Sequence, residues 1–215
     1  FDPDAFVPVT VLARGPFILV ARPDLPVSNL KELIAYAKAN PGKVTYASSG
    51  SGSPPQLTME LLAQQAGIHL LHVPFKGLAP ALNAVMAGQV DLIFHDFPST
   101  MPQIKAGTVK ALGVGNEKRL PELPQLPAIA ELLPGFSSGF WYAVVAPPGT
   151  PSAIAAKLSA AMADAVHSPD IAAKLNKFAI SPGGDTPVAT AAFLKMEIEH
   201  WHAAVLAAGI ETAGQ

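Results

Sequence analysis

The fold is decided by residues 44–66, which read VTYASSGSGSPPQLTMELLAQQA. Four residues of strand character come first, six serines and glycines follow, and an apolar pattern with helical spacing starts at two prolines. A strand, a loop of small residues and a helix in this order make up the first half of a β-α-β unit. We therefore predict a strand over 44–47, a loop over 48–53 and a helix over 54–66.

The same alternation continues along the chain. Further strands are predicted over 69–73, 90–94 and 109–114, and helices over 78–87 and 98–106. Crossovers of this length place successive strands side by side and parallel, with helices covering both faces. The predicted fold class is therefore α/β with parallel-type sheets, in which ligands bind beyond the carboxyl ends of the strands.

The segments on either side of this alternation predict further elements. We expect two strands at 9–12 and 17–21, joined by a turn at Gly15-Pro16, and a buried strand at 141–146. Ser28 is expected to open a helix to residue 38, and Thr150 to cap one over 152–167. Two more helices are expected at 169–178 and 187–208, the last ended by Gly209.

Composition excludes several classes of function. The 14 basic and 16 acidic residues leave a formal charge of −2, so nucleic acid is an unexpected partner. The chain has no cysteine, which removes disulfides, thiolate metal sites and a cysteine nucleophile. No apolar run reaches the roughly 18–20 residues that span a bilayer, so we expect no direct membrane insertion.

The loop between the first predicted strand and helix has the character of an anion site. A helix N-terminus offers unpaired amides and a partial positive charge, and small residues let an anion approach the backbone. The alternative interpretation is a flexible capped turn without a ligand. The candidate residues are Ser48, Ser49, Gly50, Ser51, Gly52 and Ser53.

Three better-known loop motifs do not fit these letters. A dinucleotide fingerprint would need glycine at Pro55, and a nucleophile elbow would need serine at Gly52 with glycine at Pro54. A Walker loop would need Gly-Lys-Ser/Thr, which is absent. What remains is recognition of a small carboxylate or phosphate by amides and hydroxyls.

Two further loops leave predicted strands at the same edge. Phe75, Lys76 and Gly77 follow one strand, and Asp96 follows another. Lys76 could equally be a solvated surface cation, and Asp96 a helix cap or turn residue. Their shared location makes them candidate ligand-binding residues.

Catalytic and metal chemistry find little support in the sequence. The six histidines do not assemble a site, since His69 and His72 flank a strand and His200 and His202 lie on different helical faces. The serines have no recognisable base and oxyanion partners. We expect no metal, no cofactor and no enzymatic activity, and we take Trp141 and Trp201 for core anchors.

Several short runs together carry a family resemblance. They include YASSGSGS at 46–53 and HVPFKG at 72–77, and the others lie at residues 1–3, 20–25, 31–33, 88–90, 104–107, 146–151 and 207–210. In this order they resemble the periplasmic receptors of tripartite tricarboxylate transporters, also called Bug receptors. The resemblance covers essentially all 215 residues.

The resemblance implies a two-lobed Venus-flytrap fold, export to the periplasm, and delivery of a small di- or tricarboxylate to the membrane permease subunits of the transporter. It implies that the ligand is held at 48–53, at 75–77 and near Asp96. It also implies a segment before residue 1, with the first strand and a proline- and glycine-rich ligand loop. We expect a middle lobe at 22–138 and an outer lobe built from 1–21 and 139–215.

Two other functions stay open at this stage. The chain could be a ligand-sensing module that uses the same pocket to signal to a partner protein. It could also be a small-molecule hydrolase, in which case it would turn over a carboxylic ester.

Overall fold

A computed structural model describes residues 2–207, which divide into two units. The central unit holds Pro16–Gly139 and residues 202–207, and the terminal unit holds residues 2–15 together with Phe140–Trp201. The strands are β1 Val7–Ala21, β2 Thr45–Ser48, β3 Leu71–Pro74, β4 Leu92–Asp96, β5 Lys110–Val114, β6 Gly139–Ala146 and β7 Ser181–Pro182. The helices are α1 Leu30–Ala39, α2 Pro54–Ala66, α3 Leu78–Met86, α4 Phe97–Lys105, α5 Ser152–Val166, α6 Pro169–Lys177 and α7 Pro187–Ala207. Pro3–Ala5 and Ile129–Glu131 are short 3₁₀ turns.

The sheet of the central unit has the strand order β3-β2-β4-β1-β5. β2 runs parallel to both β3 and β4, as the alternation of strands and helices predicts. β1 lies between β4 and β5 and runs antiparallel to both. The sheet is therefore mixed, because the strand inserted between β4 and β5 is not part of a β-α-β unit.

The predicted turn at Gly15-Pro16 is wrong, because β1 is one strand of 15 residues. Ala13 pairs with Pro182 before this point, and Phe17 pairs with Asp96 after it. A Cβ atom on Gly15 would lie only 2.3 Å from Cζ of Phe140. The glycine therefore makes room for an aromatic ring instead of allowing a turn.

Helix α1 of the central unit starts one residue later than the sequence indicates. Asn29 is the N-cap, and its Oδ1 accepts a hydrogen bond from the amide of Glu32 at 2.9 Å. The Glu32 carboxylate accepts in return from the amide of Ser28 at 2.7 Å. This reciprocal arrangement resembles a capping box displaced by one residue, so Ser28 contributes its amide and Asn29 its side chain.

Two predictions about the terminal unit are also wrong. β6 pairs with β1, but the strand is only partly buried, and the Tyr142 side chain is 61% exposed. Pro151, and not Thr150, is the N-cap of α5, because the Thr150 hydroxyl donates to the carbonyl of Pro147 at 2.8 Å. The predicted stop at Gly209 lies outside the described residues.

Candidate functional site

The candidate site lies where β3, β2 and β4 end side by side. Ser48 pairs with Pro74 at the ends of β2 and β3, and Ala47 pairs with Ile93 on the way to Asp96, the last residue of β4. Because the three strands are parallel neighbours, the loops that follow them start at one edge of the sheet. We call this edge the loop edge. It belongs entirely to the central unit.

The backbone of the serine-glycine loop requires its glycines. Gly50 has a φ of 134° and Gly52 a φ of 75°, both in the region that L-residues with a side chain rarely adopt. Nothing lies within 4 Å of a Cβ placed on Gly52, so space does not restrict that position. The conformation of the loop, and not only close approach of a ligand, explains the two glycines.

Some of the backbone amides predicted to bind an anion already donate hydrogen bonds to side chains of the protein. The Gly50 amide donates to Ser48 Oγ at 3.1 Å, and the Gly52 amide donates to Gln56 Oε1 at 2.6 Å. α2 begins with Pro54 and Pro55, neither of which has an N–H. Within residues 2–207 the amides that keep no protein partner at this helix start are those of Ser49, Ser51 and Gln56. The loop therefore offers fewer free amides to an anion than the sequence alone indicates.

A cluster of side chains supports the loop from beneath. His72 Nε2 lies 2.6 Å from Ser48 Oγ, and the imidazole stacks on the ring of Tyr46 with centroids 4.9 Å apart. The Tyr46 hydroxyl donates to the carboxylate of Glu60 on α2. Burial lowers the pKa of His72 and raises the pKa of Tyr46, so both rings are neutral at neutral pH.

Sequence analysis missed His72. The signal that could have found it is strand periodicity, since Tyr46 and Ser48 alternate onto one face of β2. His72 faces Tyr46 across the β2–β3 ladder. Only the register of this ladder brings the imidazole to the serine, and register cannot be obtained from a single strand.

The loop after β3 contributes one backbone contact and one exposed cation. The Phe75 amide donates to the carbonyl of Ser48 at 3.0 Å, which ties this loop to the serine-glycine loop. Gly77 has a φ of 113° and is the N-cap of α3, and Lys76 is exposed. Phe75, Lys76 and Gly77 therefore lie next to the serine-glycine loop.

Asp96 acts as a helix cap. Its Oδ1 accepts from the amide of Ser99 at 2.8 Å at the start of α4, and its Oδ2 lies 2.9 Å from Nδ1 of His95. Burial alone would raise the pKa of Asp96, but the hydrogen bonds from His95 and Ser99 lower it to about 2. The loop edge therefore carries a negative charge at its β4 end.

The rest of the described chain gives weaker support for a functional site. No group of three or more His, Asp or Glu side chains within residues 2–207 is placed to hold a metal ion. No helix in the same range is both long and apolar enough to cross a membrane. A cleft of about 550 Å³ lies at the edge where β5 begins, but Lys110 there already donates to the carbonyls of Leu25 and Val27. This cleft is at the opposite edge from Asp96, since Lys110 and Leu92 both pair with Ala21.

Comparison with known proteins identifies the class. The structure of R. palustris Rpa4515 with adipate matches 98% of this chain and 71% of that protein, with 36% identity and a TM-score of 0.91. MatC from Rhodopseudomonas palustris, solved with bound malate, matches 93% of this chain and 69% of its own, with 33% identity and a TM-score of 0.84. BugD, described as a periplasmic binding protein, matches at a TM-score of 0.86 and 33% identity over 96% of this chain and 70% of its own. The predicted fold class is confirmed: the chain has the α/β fold of a periplasmic solute-binding protein.

The family follows from the sequence itself. The model of the tripartite tricarboxylate transporter family receptor matches residues 1–210. The protein BugT of Bordetella pertussis is 32% identical over 94% of this chain and 63% of its own length. A relative from the tcbD-tcbE intergenic region of Pseudomonas sp. is 39% identical over 91% of this chain. The chain belongs to this receptor family, and it spans about 59% of the length of that Pseudomonas relative.

Proposed function

We propose that the protein is the solute receptor of a tripartite tricarboxylate transporter. It would capture a small di- or tricarboxylate in the periplasm and deliver it to the permease subunits in the membrane. Membership of the receptor family supports this role, and two solved relatives were determined with the carboxylates adipate and malate. The proposal concerns the whole receptor, because this chain matches about 71% of the adipate-bound protein.

We further propose that the ligand carboxylate binds at the loop edge. The observation that carries this is the convergence of three loops at the ends of adjacent parallel strands, the place where such sheets bind ligands. The residues assigned to binding are Ser48, Ser49, Gly50, Ser51, Gly52, Ser53, Phe75, Lys76, Gly77 and Asp96. Within residues 2–207 the amides of Ser49 and Ser51 lack a protein partner and are donors of the kind that a carboxylate needs, whereas Ser48, whose hydroxyl is buried, takes part by holding the Gly50 amide.

Charge divides the loop edge into two parts. Lys76 is exposed beside the serine-glycine loop and would attract an anion. Asp96 is ionised and already caps α4, so it would repel a carboxylate placed directly against it. We therefore place the carboxylate at the serine-glycine loop and give Asp96 a role toward a ligand hydroxyl or a bridging water.

Capture would proceed by a change of population between two receptor forms. In our proposal the middle lobe at 22–138 binds the ligand first, and the outer lobe built from 1–21 and 139–215 closes over it. The ligand stabilises the closed form because only that form contacts it from both sides. The closed form would then be presented to the permease.

One observation favours the hydrolase alternative, and two others argue against it. The Ser48 and His72 pair, at 2.6 Å, has the spacing of a nucleophile and its base. However, Ser48 is fully buried, and its hydroxyl is already shared with the backbone of Gly50. A buried hydroxyl cannot act as a nucleophile, because the substrate cannot reach it. We therefore propose a carrier without catalytic activity. The ligand-sensing alternative would be favoured by a signalling partner in place of a permease.

The experiment that tests the site is Gly52→Val, with binding of adipate and malate measured by calorimetry on the full-length receptor. A valine at a φ of 75° distorts the loop, and we expect affinity to fall at least about 30-fold. Gly88→Val is the matched control, because Gly88 has a φ of 73°, is equally open, and follows α3 away from the loop edge. Unchanged binding by a folded Gly52→Val protein would refute the assignment.

A further inference from the structure

The imidazole of His72, on β3, contacts the first residue of the serine-glycine loop. Ser48, at the end of β2, is fully buried, and its Oγ contacts His72 Nε2, the Gly50 amide and the Gly50 carbonyl. His72 lies on β3, which is the edge strand of the central sheet. The imidazole and the loop are therefore joined by a single hydroxyl.

The donor and acceptor capacity of the Ser48 hydroxyl indicates the direction of each of its three hydrogen bonds. A hydroxyl has one hydrogen to donate and two lone pairs that accept. The Gly50 amide donates to Ser48 Oγ, at 3.1 Å, and the Ser48 hydroxyl donates to the Gly50 carbonyl, at 3.0 Å, which also accepts from the Ser53 hydroxyl at 2.6 Å. The remaining lone pair then accepts from His72, at 2.6 Å, which requires the proton on Nε2. Only this tautomer satisfies all three contacts together.

The imidazole is in turn held in place by its neighbours. Its ring lies nearly parallel to that of Tyr46, at 22°, and the Tyr46 hydroxyl is fixed by Glu60. Glu60 is on α2, the helix that the serine-glycine loop opens. The same helix provides Gln56, whose Oε1 accepts from the amide of Gly52. The amides of both glycines with positive φ therefore donate to side chains of the protein, Gly50 to Ser48 and Gly52 to Gln56.

We propose that His72 is a positioning residue for ligand capture, which fixes the loop by donating from Nε2 to Ser48. The inference rests on the proposed function, because it assigns a role within the carboxylate site. With Gly50 and Gly52 held, the unpaired amides of Ser49 and Ser51 keep one arrangement before a ligand arrives. A site ordered in advance binds more tightly because less conformational freedom is lost on binding.

Three variants separate the hydrogen bond from the bulk of the ring. His72→Phe keeps an aromatic ring to stack on Tyr46 but has no donor, His72→Gln keeps an N–H donor, and Ser48→Ala removes the acceptor. His69→Phe is the control, because His69 is exposed just before β3 and takes no part in the cluster. Binding of adipate and malate to the full-length receptor is measured together with its thermal midpoint.

We expect His72→Phe and Ser48→Ala to weaken binding about tenfold each, the double variant to be no weaker than either, and His72→Gln to stay within about threefold of wild type. A purely structural role would lower the thermal midpoint and leave affinity unchanged. Wild-type affinity in His72→Phe, no recovery in His72→Gln, or additive losses in the double variant would each overturn the proposal.

A second measurement does not depend on the ligand. Hydrogen exchange of the Gly50 amide, followed by NMR in the ligand-free protein, should be faster in His72→Phe than in wild type and unchanged in His69→Phe. If wild type binds neither carboxylate, the proposed function fails, and this exchange rate still decides whether His72 holds the loop. Equal exchange in His72→Phe and wild type would refute the anchoring.

Discussion

At the scale of single residues, the loop edge contains side chains that hold the backbone as well as groups left free for a ligand. Ser48 and Gln56 accept from loop amides, and Asp96 accepts from the start of α4. Within residues 2–207, no such contact is made by the amides of Ser49 and Ser51 or by the side chain of Lys76. The second set is where a carboxylate would find unsatisfied donors.

Asp96 gives a prediction with a pH dependence. Its folded pKa of about 2 lies below the ordinary value of 3.8 for an aspartate, so its contribution to stability is present above about pH 4 and is lost as pH falls toward 2. We expect Asp96→Ala to lower the free energy of unfolding by about 1 kcal/mol at pH 7. Urea unfolding at several pH values should show this difference shrinking below pH 4.

Asp96→Asn is the matched control for that experiment, because asparagine keeps a capping oxygen but does not titrate. Its stability relative to Asp96→Ala should show no dependence on pH at this position. A difference between wild type and Asp96→Ala that stays constant from pH 7 to pH 2 would show that the carboxylate charge makes no contribution.

The sequence predicts the members of the candidate site better than their roles. Small residues between a strand and a helix identify the loop at 48–53, because glycine and serine have local conformational meaning. The roles of Gln56 and His72 depend on contacts across α2 and β3, which local patterns do not contain. Whether the ten assigned residues bind ligand stays a prediction.

At the scale of secondary structure, the β-α-β part is predicted well and β1 is not. The strands β2 to β5 appear within about two residues of their predicted bounds, because strong periodicity and flanking glycines and prolines mark them. The direction of β1 relative to β4 is a non-local property, so the letters of 9–21 could not give it. Gly15-Pro16 misled the prediction because turn residues also occur where a neighbour packs closely.

A largely buried carboxylate links three strands at the opposite end of the sheet from the candidate site. Asp91 precedes β4, and its Oδ2 accepts from the amide and the hydroxyl of Thr45 at 2.8 and 2.9 Å. Its Oδ1 lies 2.6 Å from Nε of Arg22, which follows β1. The Asp91 side chain is 14% exposed, whereas that of Asp24, the other partner of Arg22, is 70% exposed.

This pair makes an internal comparison. Asp91→Ala should lower the free energy of unfolding by about 2–4 kcal/mol, because it leaves the partly buried amide and hydroxyl of Thr45 without their acceptor and removes the less exposed of the two carboxylates that pair with Arg22. Asp24→Ala should have a much smaller effect, since an exposed ion pair contributes little. Chemical denaturation of both variants is the test, and equal losses would contradict the role given to burial.

At the scale of the whole molecule, we expect a carrier that returns its ligand unchanged. The chain belongs to a receptor family, and the serine of the Ser48–His72 pair is buried. Long incubation of the full-length receptor with adipate, malate and their methyl esters should give complete recovery by mass spectrometry. Turnover that Ser48→Ala abolishes would instead support the hydrolase.

The continuity of β1 limits how a gene for such a receptor can change over time. Ala13 and Phe17 belong to one strand and pair with different partners, β7 and β4. Side chains alternate between the faces of a strand, so inserting or deleting one codon between these residues would exchange inward and outward positions on whichever side absorbed the change. Surface loops accept such events freely. We therefore expect the spacing of 13–17 to be kept at constant length among descendants, even where its letters diverge.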